Sequence, residues 1–375
     1  MGTKLLDLTS AEEASGRLGI SRASLYAYVS RGLIRSFASP HDPRQRLYSL
    51  DDVTALEERK ARFRRPAAAA ATALDWGLPV LETSITQIKD GHLFYRERDA
   101  IGLAETAILE DTALLLIGGL DRAAFQAPSR LVGDLAGGLP GPAFGPYGFV
   151  AQAIRLLSAP APMESRAAEV ATILRLVAAA GSGADPGTEP IHQHLASAWK
   201  APRAADAIRR ALVLSADHEL SASAFAVRVT ASTGASLRNA VIAGLAALSG
   251  PHHGGMIERV RAFLEAPRAA EAPGFRHRLY PDGDPRAPAL LERIPLLASD
   301  ATTLRAVESM TGDKPSLDAA LVMTERAYGL PAGASFALFA IGRTAGWLAH
   351  AIEQRSQATL IRPRARYVLA EENRP

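Results

Sequence analysis

The chain has 375 residues, 48% of them apolar, with 42 Lys/Arg against 39 Asp/Glu and no cysteine. That length and apolar content suit two or three domains with sizeable cores, and the lack of cysteine excludes disulfides, thiolate metal sites and cysteine nucleophiles. No run of 18 apolar residues is present to span a membrane, and "MGTKLLDLTSAEEAS" lacks a secretory signal, so a cytoplasmic protein is expected.

The basic excess lies at the start. Residues 1–66 hold 12 Lys/Arg and 8 Asp/Glu, and the remainder holds 30 and 31, a pattern expected of a segment that faces a polyanion. In "LTSAEEASGRLGISRASLYAYVSRGLIRSF", Thr9 or Ser10 can cap a first helix with Glu12 or Glu13 near its N3 position. Gly19 permits a turn, Ser21 can cap a second helix, and Gly32 ends it. "LIRSFASPHDPRQRLYSL" reads as two short strands around a Pro/Asp turn, and "SLDDVTALEERKARFRR" as a capped, charged helix. This order resembles the winged helix-turn-helix of MerR-type regulators over about residues 7–63. The resemblance implies a second helix in the DNA major groove. Arg22, Ser24 and Tyr26 would face bases or phosphates there, and Arg44 and Arg46 on the wing would reach the backbone. A Pro/Ala-rich stretch follows, and residues 67–77 read as a linker.

Residues 78–375 read as mostly helical. "AAEVATILRLVAAAG", "LRNAVIAGLAALSG" and "FALFAIGRTAGWLAHAIEQRS" have helical apolar spacing, and "LETSITQIKDGHLFYRERD" is the main candidate for short strands. Six stretches then carry the chemistry in order: "ADHELSAS" with His218, "GPHHGG" with His253, "GFRHRLYPDGDPRA" with His277 and Arg286, "SLDAAL" with Asp318, "GRTAGWLAH" with Arg343, and "RPR" with Arg362.

Together these resemble the citrate synthase family, whose usual forms are "ADHExNAS", "GPLHGGAN", "GFGHRVYxxxDPRA", "PNVDFYSG", "FARxxGWxAH" and "RPR". "ETSI…DG…" near residues 82–98 fits the N-terminal signature. The resemblance implies an all-α fold in which a large subdomain, about 78–253 and 329–375, and a small one, about 254–328, close over the substrates. It implies condensation of acetyl-CoA or propionyl-CoA with oxaloacetate, with the acyl-CoA as co-substrate, no permanently bound cofactor and no metal. By the same resemblance Asp318 is the base that takes the acyl proton. His253 donates a hydrogen bond to the developing enolate oxygen, and His277 polarises the ketone and protonates the alkoxide. Arg286, Arg343 and Arg362 take the oxaloacetate carboxylates, for which a planar guanidinium suits, and His218 assists. Arg362 enters the partner subunit's site, which implies a homodimer.

Departures from the family pattern bear on the coenzyme side. Ser221 stands for Asn, Arg276 for Gly beside His277, Met256 for Ala, and Pro281 where relatives carry a basic residue. Arg276 is expected to depress the His277 pKa or to meet a phosphate, and Gly254 and Gly255 to let a substrate approach. Since a helix is expected after the glycines, its positive end favours a neutral His253. The rival expectation is a DNA-binding transcriptional regulator whose synthase-like body senses a dicarboxylate or acyl-CoA. Asp318 argues for the enzyme, because binding alone needs no proton abstraction.

Overall fold

A computed structural model of the chain describes residues 8–30, 33–39, 45–54, 56–57, 80–127, 139, 141–160, 164–266 and 272–365. Arg44 and the linker at 67–77 lie outside the described residues. The chain divides into two compact units, Met1–Glu82 and Thr83–Pro375.

The first unit is small. β1 (Leu8–Thr9) leads into α1 (Ala11–Leu18), and α2 (Arg22–Ser30) follows after one turn. Ser10 caps α1 by accepting from the Glu13 N–H, and Gly19 closes it at φ 58°, a conformation that suits glycine. Ser21 accepts from the Ser24 N–H at 3.2 Å and so caps α2. The hairpin strands β2 (Ser36–Ala38) and β3 (Arg46–Ser49) pair antiparallel, with Phe37 opposite Leu47. Unforeseen from the sequence, β1 adds to β3, with Thr9 opposite Tyr48, so the sheet order is β1-β3-β2. Two residues of strand give too short a pattern to read. Ala14, Leu18, Leu25, Ile34, Tyr48 and Val53 fill one small core.

The second unit opens with a three-stranded meander: β4 (Thr86–Lys89), β5 (His92–Tyr95) and β6 (Arg98–Asp99). Asp90 and Gly91, at φ 51° and 77°, form the two-residue turn between the first two strands. Positive φ at both positions matches the right-handed twist of a hairpin, and Asp-Gly tolerates it.

The rest of the described unit is helical. α3 (Ala100–Thr106), α4 (Leu109–Ile117), α5 (Gly145–Leu157), α6 (Arg166–Ser182) and α7 (Ile191–Ala198) precede α8 (Ala205–Leu214), α9 (Ala222–Ser232) and α10 (Leu237–Leu248). α11 (Met256–Glu265), α12 (Arg286–Leu291), α13 (Ala298–Thr311), α14 (Leu317–Tyr328) and α15 (Ala334–Gln357) complete it. α15 is mostly apolar and is buried on every side from Ala334 to Ala351, so it forms the axis of the core. It packs against α4, α6, α8, α9, α10 and α14.

Glycines set how closely α15 is approached. A Cβ at Gly342 would lie 2.6 Å from the Leu212 carbonyl oxygen, and one at Gly346 would lie 2.2 Å from an Asp217 carboxylate oxygen. These two positions bring the end of α8 and the following loop onto the middle of α15. Among the described residues no helix is long and apolar enough to cross a membrane.

Candidate active site

The loop after α8 carries Asp217, His218 and Glu219, and the small sheet holds it in place. The buried Tyr95 hydroxyl donates to the Val213 carbonyl at 3.0 Å and accepts from the Asp217 N–H at 3.3 Å. Glu219 accepts from the Ile88 N–H at 2.9 Å. Asp217 is fully buried against His350 of α15, 3.3 Å away. The buried ring of His218 meets the Tyr280 hydroxyl through Nε2 at 3.0 Å. It also stands edge-on to His277, with ring centroids 5.1 Å apart.

His277 sits in a loop whose backbone is bridged from Phe275 to Pro315 and from His277 to Tyr280. The Leu279 N–H donates to His277 Nδ1 at 3.2 Å, so the neutral ring carries its proton on Nε2. Burial pushes the His277 pKa down to about 4, with the neighbouring Arg286 charge adding to it. The sequence assigned that depression to Arg276; Arg276 is exposed, and burial with Arg286 accounts for it instead.

Arg286 opens α12 and is itself buried. Its Nε and Nη2 donate to the two carboxylate oxygens of Asp284, at 2.9 and 2.8 Å. Asp284 also accepts from the Leu317 N–H at 3.0 Å, which ties this ion pair to the first turn of α14. Arg343, midway along α15, is different. It donates to neutral acceptors, the Ser215 carbonyl at 2.9 Å and, at a long 3.5 Å, the Ser221 hydroxyl, and it lies over the Phe339 ring. A buried guanidinium so placed keeps its charge available for an incoming anion, whereas much of the Arg286 charge is already matched.

His253 lies in the turn between α10 and α11. Its ring meets Phe339 edge-on, and its Nε2 is 2.8 Å from the Ser223 hydroxyl. Ser223 accepts from the Trp347 indole N–H at 3.2 Å. The hydrogen bond at Nε2 holds the His253 ring against Ser223. Burial, and then the Arg343 charge, lower its pKa to about 4, so the ring is neutral near pH 7. The glycines after it meet protein: a Cβ at Gly254 would lie 2.7 Å from Leu248, and one at Gly255 2.7 Å from the Ser249 carbonyl oxygen. They let the turn fold back on the end of α10, which corrects the expectation of substrate approach.

Asp318 is the second residue of α14, half-buried, with Ser316 donating to it at 3.4 Å. Burial raises its proton affinity, and Arg286 opposes the rise. Asp318 and His277 line one cavity of about 410 Å³, together with Ser316, Phe275, Arg276, Met256 and Arg259. His218 feels the charges of Arg286, Arg343, His277 and His253, so these groups share one electrostatic neighbourhood. Arg362 is exposed on the irregular segment after α15.

Reading the sequence missed Ser223, Tyr280 and Asp284. Their signal was proximity within the quoted stretches: Ser223 is five residues after His218, Tyr280 three after His277, and Asp284 two before Arg286.

The chain matches the family description "Citrate synthase, C-terminal domain" over residues 73–364. It is 35% identical over 193 residues to "Citrate synthase 2" of Bacillus subtilis, a stretch covering 44% of this chain and 51% of that protein. It is 32% identical to "2-methylcitrate synthase 1" of Corynebacterium glutamicum over 45% of this chain and 51% of that one. The chain thus spans about half the length of these curated relatives. The fold is shared with the citrate synthase of Thermotoga maritima, with a TM-score of 0.64 at 24% identity, over 80% of this chain and 96% of that one. It is also shared with the Thermoplasma acidophilum enzyme, solved as a ternary complex with carboxymethyl coenzyme A and oxaloacetate. There the TM-score is 0.60 at 22% identity, over 80% and 96% of the two chains.

Proposed function

The chain belongs to the citrate synthase family, and from that premise we propose that it condenses an acyl-CoA with oxaloacetate and hydrolyses the thioester. Acetyl-CoA would give citrate and propionyl-CoA 2-methylcitrate, the two activities named among its relatives. One observation carries the reading: Asp318 and His277 line a single cavity, beside buried guanidinium groups suited to a dianion.

Oxaloacetate places its carboxylates on Arg343 and on the Nη1 side of Arg286, with His218 alongside. His277 Nε2–H then points its hydrogen bond at the ketone oxygen. Asp318 removes a proton from the acyl α-carbon, and neutral His253 stabilises the negative charge that forms on the thioester oxygen. The α-carbon attacks the ketone carbon. The C=O π electrons move to oxygen, and His277 gives that oxygen its proton. Water then cleaves the thioester and releases CoA. Enclosure of the site by the segment 254–328 would keep water out until the carbon–carbon bond has formed. A raised proton affinity suits Asp318 to taking a weakly acidic C–H proton, and lowered histidine pKa values suit donors that must stay neutral.

A homodimer in which Arg362 completes the partner's oxaloacetate site belongs to the same reading. The assay is release of free thiol from acetyl-CoA or propionyl-CoA in the presence of oxaloacetate, with Asp318→Asn as control. Silence from folded wild-type protein, beside an active synthase, removes the proposal.

The first unit supports a second, compatible assignment as a DNA-binding winged helix-turn-helix. Its α2 presents exposed Arg22 and Tyr26 and partly exposed Ser24, and β3 begins at exposed Arg46. Arg22 pairs loosely with Glu12 at 3.5 Å, and Arg46 donates to Ser36, so both charges are held in place. Sequence-selective, salt-dependent binding by the full chain, weakened in Arg22→Ala and Tyr26→Ala, is expected. Equal binding by wild type and both variants removes this assignment.

A further inference from the structure

The residue before His277 is Arg276, at φ 70°. An L-residue in the left-handed region is strained by the close approach of its Cβ to the backbone. The surroundings hold it there. The Arg276 N–H donates to the Lys314 carbonyl at 2.9 Å, and its neighbours Phe275 and His277 are bridged to Pro315 and Tyr280. Gly274, at φ 79°, completes the turn under Val260. A glycine at 276 would fit this backbone without strain, yet the chain keeps an exposed arginine.

Arg276 lines the same cavity as Asp318, and Arg259 joins it on the wall. Asp318 is half-buried while Arg276 is exposed, so a ligand with its reacting carbon at Asp318 and its tail towards solvent carries that tail past Arg276. Apolar Met256, Ala272, Pro273 and Phe275 line the cavity with them. We propose that Arg276 is a specificity residue of this chain: its guanidinium takes a phosphate of the coenzyme part of the acyl thioester, and the left-handed backbone is what puts it on the cavity wall. This deepens the reading of the cavity as the acyl-CoA site and rests on it. A planar guanidinium binds a phosphate through two parallel N–H···O bonds, which a lysine cannot reproduce.

The test is calorimetric binding of CoA and of acetyl-pantetheine, which has no phosphate, to full-length wild type, Arg276→Gly and Arg276→Lys. Arg276→Gly is expected to weaken CoA about tenfold and to flatten the salt dependence of CoA binding, with Arg276→Lys between the two. Acetyl-pantetheine is expected to bind wild type and Arg276→Gly alike. Arg276→Gly is also expected to melt higher, since the backbone strain is relieved, which separates loss of a contact from loss of fold. Equal CoA affinity in wild type and Arg276→Gly overturns the role of Arg276 alone. Wild type that binds no CoA overturns the reading of the cavity as well.

Discussion

At His253 and His277 burial decides the protonation state, and the sign of the pH dependence follows. Both rings have folded-state pKa values of about 4, below the ordinary 6.5. The unfolded chain therefore binds more protons than the folded one between those values. Their contribution to stability is complete above pH 6.5 and is lost as pH falls through 6.5 towards 4. Urea midpoints are expected to drop over that window, and less steeply in His253→Asn. Both donors stay neutral down to about pH 5, so activity lost above that pH should follow one protonation, that of the base Asp318, whose proton affinity burial raises. A two-proton acid limb of the pH–rate profile above pH 5 would contradict this. Ser223 controls His253 through one hydrogen bond, so Ser223→Ala should fold and lower kcat by roughly 5- to 150-fold, the worth of about 1–3 kcal/mol. The histidines, Asp318, Arg286 and Arg343 could be named as candidates because the six stretches stand in order; Arg362 was named the same way and lies exposed on the segment after α15. What the sequence did not carry was which guanidinium is already paired. Asp284 and Arg286 are two residues apart, but only the folded turn at Pro285 brings their side chains together.

At the scale of elements, the approach of the Asp217–His218 loop to α15 depends on two hydrogen atoms in place of side chains. Gly346→Ala puts a methyl group 2.2 Å from an Asp217 oxygen, so the buried Asp217–His350 pair must move. The expected loss is about 3 kcal/mol or more, read as a lowered thermal midpoint, at the upper end of overpacking costs because the displaced group is a buried carboxylate. Gly254→Ala meets the Leu248 side chain and carbonyl, and should also destabilise. The long helices were legible from their spacing, as were the first unit's two helices, and the stretch around Asp90–Gly91 stood out as a candidate for short strands. The roles of the close-packed glycines were not. A glycine's neighbours across a helix interface come from residues far away in the chain, and no local pattern names them. The short strand Leu8–Thr9 was hidden for the same reason, since its partner Tyr48 lies 39 residues on.

For the whole molecule, the placement of Arg362 and the chemistry at Asp318 make linked claims. If Arg362 serves the partner's site, inactive Asp318→Asn and inactive Arg362→Gln chains should complement when co-expressed. Half of the dimers would be mixed, each with one intact site, giving about a quarter of wild-type activity. No recovery in isolated mixed dimers would place Arg362 outside the partner's site. The central claim is that Asp318 abstracts the acyl proton. The most direct measurement is exchange of the α-protons of acetyl-CoA with deuterated water, in the presence of a non-reacting oxaloacetate analogue, followed by NMR. Wild type should catalyse exchange, and Asp318→Asn should slow it by about 10²- to 10⁴-fold while still binding the analogue. Exchange at equal rates in the two proteins would contradict the account.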